Sequence, residues 1–239
     1  AEQPIPFRHT VLFQDEHLLV ADKPHFLPVT PGGRYVQETL LVRLKHELGL
    51  NELSPLHRLD RETAGVVAFC LRPQDRDAYQ RLFRERRVHK VYEALARVSP
   101  PSGAVGPAPV PDPASLCPLV RRSHIRENPR QFFRMEEAPD AEQLPPNSET
   151  RIDLIHIRDG LACFRLEPVT GKRHQLRVHM AALGWPLLGD QFYPDVLREP
   201  GEEEDFAHPL QLLARQLAFT DPVTGQQRCF ESQLTLTCA

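Results

Sequence analysis

Residues 55–71 read PLHRLDRETAGVVAFCL. The first part holds His57, Arg58, Asp60 and Arg61; the second is a continuous apolar run. A short unbroken apolar run of this kind predicts a buried strand. Asp60 therefore lies between two guanidiniums at the mouth of that strand. One reading is a turn aspartate in a surface ion pair worth little. The other is a carboxylate kept ionised by Arg58 and Arg61 as a nucleophile or charge stabiliser, not as a general acid. On this segment alone the turn is favoured.

Working outward, HTVLFQDEHLLVADKP reads as two strands around a Gln-Asp-Glu-His turn. Pro24, Pro28, Pro31 and Gly32-Gly33 make a stiff loop. Leu40, Leu41, Leu44 and Leu48 fall at helical spacing, with Gly49 as a C-terminal stop. Ala78, Tyr79, Leu82 and Phe83 form the apolar stripe of a second helix whose other face carries Arg. HKVYEALARV reads as a strand, and residues 99–115, rich in Pro, Gly, Ala and Ser, as a long surface loop. Two alternating runs flank Arg158-Asp159-Gly160, a hairpin signal. Leu176, Met180 and Leu183 mark a helix closed by Gly184. The tail reads as a strand, a turn at DPVTG and a closing strand. Runs of strands with a few interposed helices predict an α+β fold on a mixed, mostly antiparallel sheet.

The 239 residues, 41% hydrophobic and 26% charged, suffice for a sizeable core, in about one large domain or two small ones. No run of about 18 apolar residues predicts a membrane span, and no signal-peptide core opens the chain. Five cysteines without a CxxC pair point to a reducing compartment, the cytoplasm. The net charge of −3 hides an asymmetry. Residues 81–134 hold eleven basic and four acidic side chains, a net of +7; residues 135–160 hold two and seven, a net of −5. That distribution predicts one positive face.

There is no Walker A loop, GxGxxG or GxSxG. His174 and His179 are five apart rather than four, so a helical zinc pair is not expected, and both read as surface or RNA-facing. Tyr92, on a strand, is either packing or a phenol that stacks on a base or handles a proton. Lys172, Arg173, His174, Arg177 and His179 crowd a helix start, where cations oppose the helix dipole. A bound anion or a carboxylate partner would offset that cost. A carboxylate, a tyrosine and a cationic helix point to a polyanion, nucleic acid above all, without naming a reaction.

HRLDRETAGVV resembles the HRLDxxTSGL signature of the RluA-type pseudouridine synthases. KVYEALA is similar to that family's Lys-x-Tyr-x-Ala strand, and VTGKRHQLRVHMAALGWPLLGDQFY to its third motif. EHLLVADKPHFLPVTPG resembles its opening strand pair and loop. The motifs occur in the family's order from about residue 15 to the C-terminus, which reverses the reading of Asp60. The resemblance implies the pseudouridine synthase fold, with flanking helices and a central cleft, in a single catalytic domain over 1–239. It implies isomerisation of uridines in rRNA or tRNA, with no metal or organic cofactor. It implies Asp60 as catalytic aspartate, Tyr92 stacked on the uracil and assisting loss of the C5 proton, and Arg177 paired with Asp60. Arg58 would help extrude the nucleotide. Lys90, Lys172, Arg173 and His174 would bind substrate, with phosphate contacts from residues 81–90 and 121–134. A monomer without a small RNA-binding domain ahead of the catalytic one is expected.

The chain departs from the family at Ala64, where Ser is usual, at Lys172, where Arg is common, and at Phe26, often Gly. Residues 198–208, REPGEEEDFAH, read as a solvated acidic insert. Two other functions fit these residues less well. A catalytically silent RNA-binding protein has no need of Asp60, Tyr92 and Arg177 together. A glycosidase or nucleoside hydrolase needs a second carboxylate acting as acid, for which only Glu62 and Glu93 are near the motifs.

Overall fold

The computed structural model describes residues 2–98 and 109–237. Strands β1 (Thr10–Gln14) and β2 (Leu18–Lys23) open the chain, followed by helix α1 (Leu40–Leu48), the two-residue β3 (Ser54–Pro55), β4 (Ala64–Cys70) and helix α2 (Arg76–Arg84). Then come β5 (His89–Arg97), the single-turn helix α3 (Pro113–Leu116), β6 (Leu119–Ser123), β7 (Ile125–Glu127) and β8 (Met135–Glu137). The long strands β9 (Ser148–Arg158) and β10 (Leu161–Pro168) precede helix α4 (Gln175–Ala182), and β11 (Leu212–Thr220) and β12 (Gln227–Glu231) close the chain. Two compact units result, one of residues 1–90 with 213–235, the other chiefly of residues 91–212.

In the first unit β2 runs antiparallel to both β1 and β4, with Val20 opposite Ala68. β11 joins β4 in parallel through Leu213–Ala64 and Ala214–Gly65, and β12 lies antiparallel to β11. This is a mixed, mostly antiparallel arrangement. The buried alternation Leu18, Val20, Val66 and Ala68 packs with Tyr79 and Leu82 of α2 and with Leu217, Phe219 and Phe230. Tyr79 donates to Asp221 at 2.9 Å, and Asp221 also accepts from Val223 N, so the α2 stripe and the DPVTG turn share one buried carboxylate. Thr39 caps α1 by accepting from Val42 N, and Gly49 ends it in the left-handed conformation.

In the second unit β5, β10, β9 and β6 are antiparallel neighbours in that order. Asp159 (φ 52°) and Gly160 (φ 74°) form the two-residue hairpin loop between β9 and β10. Phe164, Leu166, Ile152, Leu176, Met180 and the fully buried Trp185 make the core. Of the loop expected over 99–115, residues 99–108 lie outside the described residues. Residues 113–116 are helical instead, because Asp112 accepts from Ala114 N and Pro113 pre-sets the first helical position. No helix among the described residues is long and apolar enough to cross a membrane.

Candidate active site

The segment bearing Asp60 leaves the sheet in a defined way. β3 pairs with β4 at Ser54–Cys70 and Pro55–Phe69, and Leu56 N donates to Ala68 O at 3.0 Å. The main chain then departs, and the His57 ring takes over the ladder: Ala68 N donates to His57 Nε2 at 3.0 Å. The neutral ring therefore carries its proton on Nδ1. Burial and the nearby Lys90 ammonium push His57 down to about 3, so it stays neutral. Its ring stacks on Phe83 of α2 with centroids 4.9 Å apart and planes 10° apart. Leu59 is buried, Arg58 is exposed, and Asp60 is half-buried, its carbonyl accepting from Thr63 N at 3.1 Å.

Behind this turn sits Lys23, with no exposed surface. Its Nζ donates to the carbonyls of Pro24, Leu27 and Arg61 at 2.9, 2.7 and 2.9 Å, tying the loop after β2 to the Asp60 turn. Burial pushes Lys23 down to about 7, against the opposing pull of Glu62 and, more weakly, Asp60. Gly65 is dictated by the parallel seam: φ is +121°, and a Cβ there would stand 2.2 Å from Ala214 O. Phe26, the departure from Gly noted above, adopts φ 68°, the region Gly favours. Its ring is buried, stacked on Phe7 at 5.7 Å and covered by the Arg61 guanidinium at 5.8 Å. Those contacts hold a bulky residue in a glycine conformation.

Tyr92 and Arg177 belong to the second unit. Tyr92 is half-buried on β5 opposite Leu166 and packs on the core that holds Leu176. Helix α4 is buried all round from Gln175 to Met180, so it is not amphipathic. Gln175 donates to Glu149 O and Thr150 Oγ1, both at 2.9 Å. One turn on, His179 reaches Thr150 Oγ1 at 2.8 Å and Ser123 Oγ at 3.0 Å. Burial pushes His179 down to about 4, and the neutral ring fits those hydroxyls. Arg177 makes a bidentate pair with Asp190 at 2.9 and 2.7 Å, both side chains 1% exposed. Asp190 Oδ1 also accepts from Phe192 N at 3.0 Å. Phe192 and Tyr193 cover the Arg177 guanidinium at 5.2 and 5.3 Å. Gly189 permits the approach: φ is +73°, and a Cβ there would lie 2.2 Å from Pro209 O.

The cationic helix start is thus corrected. His174 and His179 are buried rather than at the surface, His174 Nδ1 lying 2.7 Å from Tyr193 Oη, while Lys172 and Arg173 remain exposed. Lys90 is half-buried, its Nζ 5.8 Å from the Phe83 ring, and burial pushes it down. The basic run is corrected as well. Arg122 meets Glu149 at 2.9 Å, Arg126 meets Glu136 and Glu142 at 2.9 and 2.7 Å, and Arg121 pairs with Glu137. The antiparallel registers Arg122–Glu149 and Arg126–Glu136 place the acidic run against the basic one. Among the described residues no group of three His, Cys, Asp or Glu could hold a metal ion.

A family model described as RNA pseudouridylate synthase matches residues 17–182, from β2 through α4. The chain belongs to that family. It is 34% identical over 226 residues to the dual-specificity RNA pseudouridine synthase RluA of Salmonella typhi, covering 92% of this chain and 91% of the relative. The corresponding RluA of Escherichia coli (strain K12) is 33% identical over 225 residues, 93% and 91% of the two chains. The solved structure of human RNA Pseudouridylate Synthase Domain Containing 4 superposes with a TM-score of 0.67 at 25% identity, over 94% of this chain and 88% of that one. The fold is the pseudouridine synthase fold, and the protein is an enzyme that isomerises uridine in RNA. Sequence reasoning missed three supporting residues: Asp190, Gln175 and Lys23. Asp190 had a signal, a lone acid after Gly189 in the apolar run PLLGDQFY.

Proposed function

We propose that this synthase acts on uridines of both ribosomal and transfer RNA, with Asp60 as the catalytic residue, in the cytoplasm and as a monomer. The observation that carries the assignment of Asp60 is the construction of its turn. His57 replaces a ladder carbonyl, Lys23 binds the Arg61 carbonyl from beneath, and Gly65 closes the strand behind it. A surface ion pair needs none of this. The RluA relatives, named dual-specificity, support the RNA class.

In the reaction the N1–C1′ bond breaks, the base turns, C5 bonds to C1′, the C5 proton leaves and N1 gains a proton. Asp60 either attacks C1′ or removes a ribose proton. Tyr92 stacks on the uracil and assists departure of the C5 proton. Arg177, held by its buried pair with Asp190, is the third residue assigned to the chemistry. Arg58, exposed beside Asp60, occupies the space left by the extruded nucleotide, offsetting the lost stacking. Lys172 and Arg173 meet phosphates.

The test is tritium release from unmodified rRNA and tRNA transcripts labelled at uridine C5. Wild type releases tritium from both, whereas Asp60→Ala and Asp60→Asn release none, with Asp60→Asn, which keeps the side-chain volume, melting within about 2 °C of wild type. Release by either variant at the wild-type rate would remove Asp60 from the chemistry. Release from one RNA only would restrict the substrate.

A further inference from the structure

The hairpin of β7 and β8 ends in the loop 128–134, NPRQFFR, which the catalytic assignment leaves without a role. The loop is rigidly built. Asn128 Oδ1 accepts from Arg130 N and Gln131 N, both at 2.9 Å, and Asn128 N donates to Arg134 O at 3.0 Å. Phe133 turns inward onto Phe192 at 5.1 Å. Phe132 turns outward and is 73% exposed. Its position is fixed from behind, because Arg173 donates to the carbonyls of Phe132 and Phe133 at 3.1 and 3.3 Å. Arg134 donates to Pro194 O at 2.7 Å and lies 5.0 Å over the Tyr193 ring.

Around Phe132 the charge balance differs from the rest of the basic run. Arg121, Arg122 and Arg126 face glutamates, whereas the contacts of Arg134 and Arg173 are carbonyl oxygens and rings, and Arg130 and Lys172 are exposed. Each guanidinium offers five donors, so Arg134 and Arg173 keep donors to spare. Leu197 provides the contrast. It too is 73% exposed, but Asp195, Glu199 and the acidic run at 202–205 are near it in sequence, and the adjacent Arg198 is paired with Glu204.

We propose that Phe132 is a stacking platform for an unpaired base of the RNA substrate, with Arg130, Arg134, Lys172 and Arg173 meeting the flanking phosphates. Sequence-tolerant recognition of unpaired RNA combines an aromatic face with a cationic frame. A loop backbone already held in place loses little freedom on binding. The proposal rests on the chain's being an RNA enzyme, but not on the role of Asp60.

The test is binding of a fluorescein-labelled, unmodified RNA carrying a uridine-containing loop, followed by anisotropy across a salt series. Phe132→Ala weakens binding about 5- to 150-fold, the worth of one stacked base, with the salt slope and melting temperature unchanged. Phe132→Tyr restores it. Arg130→Ala lowers the salt slope by about one. Leu197→Ala changes nothing. In Phe132→Trp the new indole is quenched by RNA, whereas Trp185, the chain's one tryptophan, is buried and stays silent. Wild-type affinity in Phe132→Ala, an equal loss in Leu197→Ala, or no RNA binding by wild type overturns the proposal. Tritium release in parallel separates the two claims. A wild type that binds through Phe132 yet releases no tritium upholds the platform and sinks the assignment of the chemistry.

Discussion

Replacing Asp190 by Ala probes what holds Arg177 in place. The pair is buried to 1% exposure on both sides and joined by two charge-assisted hydrogen bonds. The same carboxylate accepts the backbone N–H of Phe192 and, at 3.3 Å, of Tyr193. Removing one partner of such a pair costs about 3–5 kcal/mol, since the remaining charge loses its counter-charge while staying out of water. At roughly 2–4 °C per kcal/mol for a chain of this size, the melting midpoint falls by about 10 °C. Differential scanning calorimetry measures this. The paired variant Arg177→Met with Asp190→Leu removes both charges and keeps apolar volume, so it recovers most of the loss. If Arg177 has the role proposed for it in the chemistry, the paired variant does not recover tritium release. An Asp190→Ala protein melting within about 2 °C of wild type would refute the buried-pair argument. So would a paired variant as unstable as the sum of its single changes. Full activity in the paired variant would leave Arg177 a purely structural role.

Two further outcomes follow from the first unit. Because Lys23 is pushed down to about 7 in the folded protein from 10.5, the folded state sheds a proton that the unfolded chain keeps between those values. Stability therefore rises as pH goes from about 7 towards 10.5, and Lys23→Met flattens that part of the melting-temperature profile; an identical slope in the two proteins counts against burial of the charge. Gly65→Ala forces a Cβ to 2.2 Å from Ala214 O at a φ of +121°, and is expected to cost about 3–5 kcal/mol, read as a loss of soluble yield and a lowered melting midpoint. A Gly65→Ala protein with a wild-type midpoint would show that the parallel seam can open there at little cost.

The elements that sequence reading recovered are those set by local physics. Helix α1 ends at Gly49 because only a left-handed residue closes it there, and the Asp159-Gly160 loop fits a two-residue hairpin. β4 is legible from its apolar run, and α2 from the Tyr79–Leu82 stripe. What stayed hidden depends on partners distant in sequence. Arg122 and Arg126 look like a phosphate-binding run until antiparallel register sets Glu149 and Glu136 opposite them. His179 reads as a surface cation until Thr150 and Ser123 enclose it. Lys23 ends a strand buried along its whole length, and three carbonyls from two loops make that position tolerable. Asp60 itself was legible only through its resemblance to a family. In isolation, Arg-Leu-Asp-Arg is compatible with an ordinary turn.

The parallel pairing of β4 with β11 has a consequence for biogenesis. The first unit draws on residues 1–90 and again on 213–235, with the whole second unit made in between. When Asp60 leaves the ribosome, the strand that seats Gly65 has not been translated. At about 5–20 residues per second, Leu213 follows roughly 10–30 s later. During that interval β4 has β2 on one side and lacks its later neighbour at Ala64 and Gly65. The loop that carries the aspartate is therefore among the last parts of the enzyme to become rigid. A nascent chain can thus complete its second unit before the strand behind the Asp60 turn has its parallel partner.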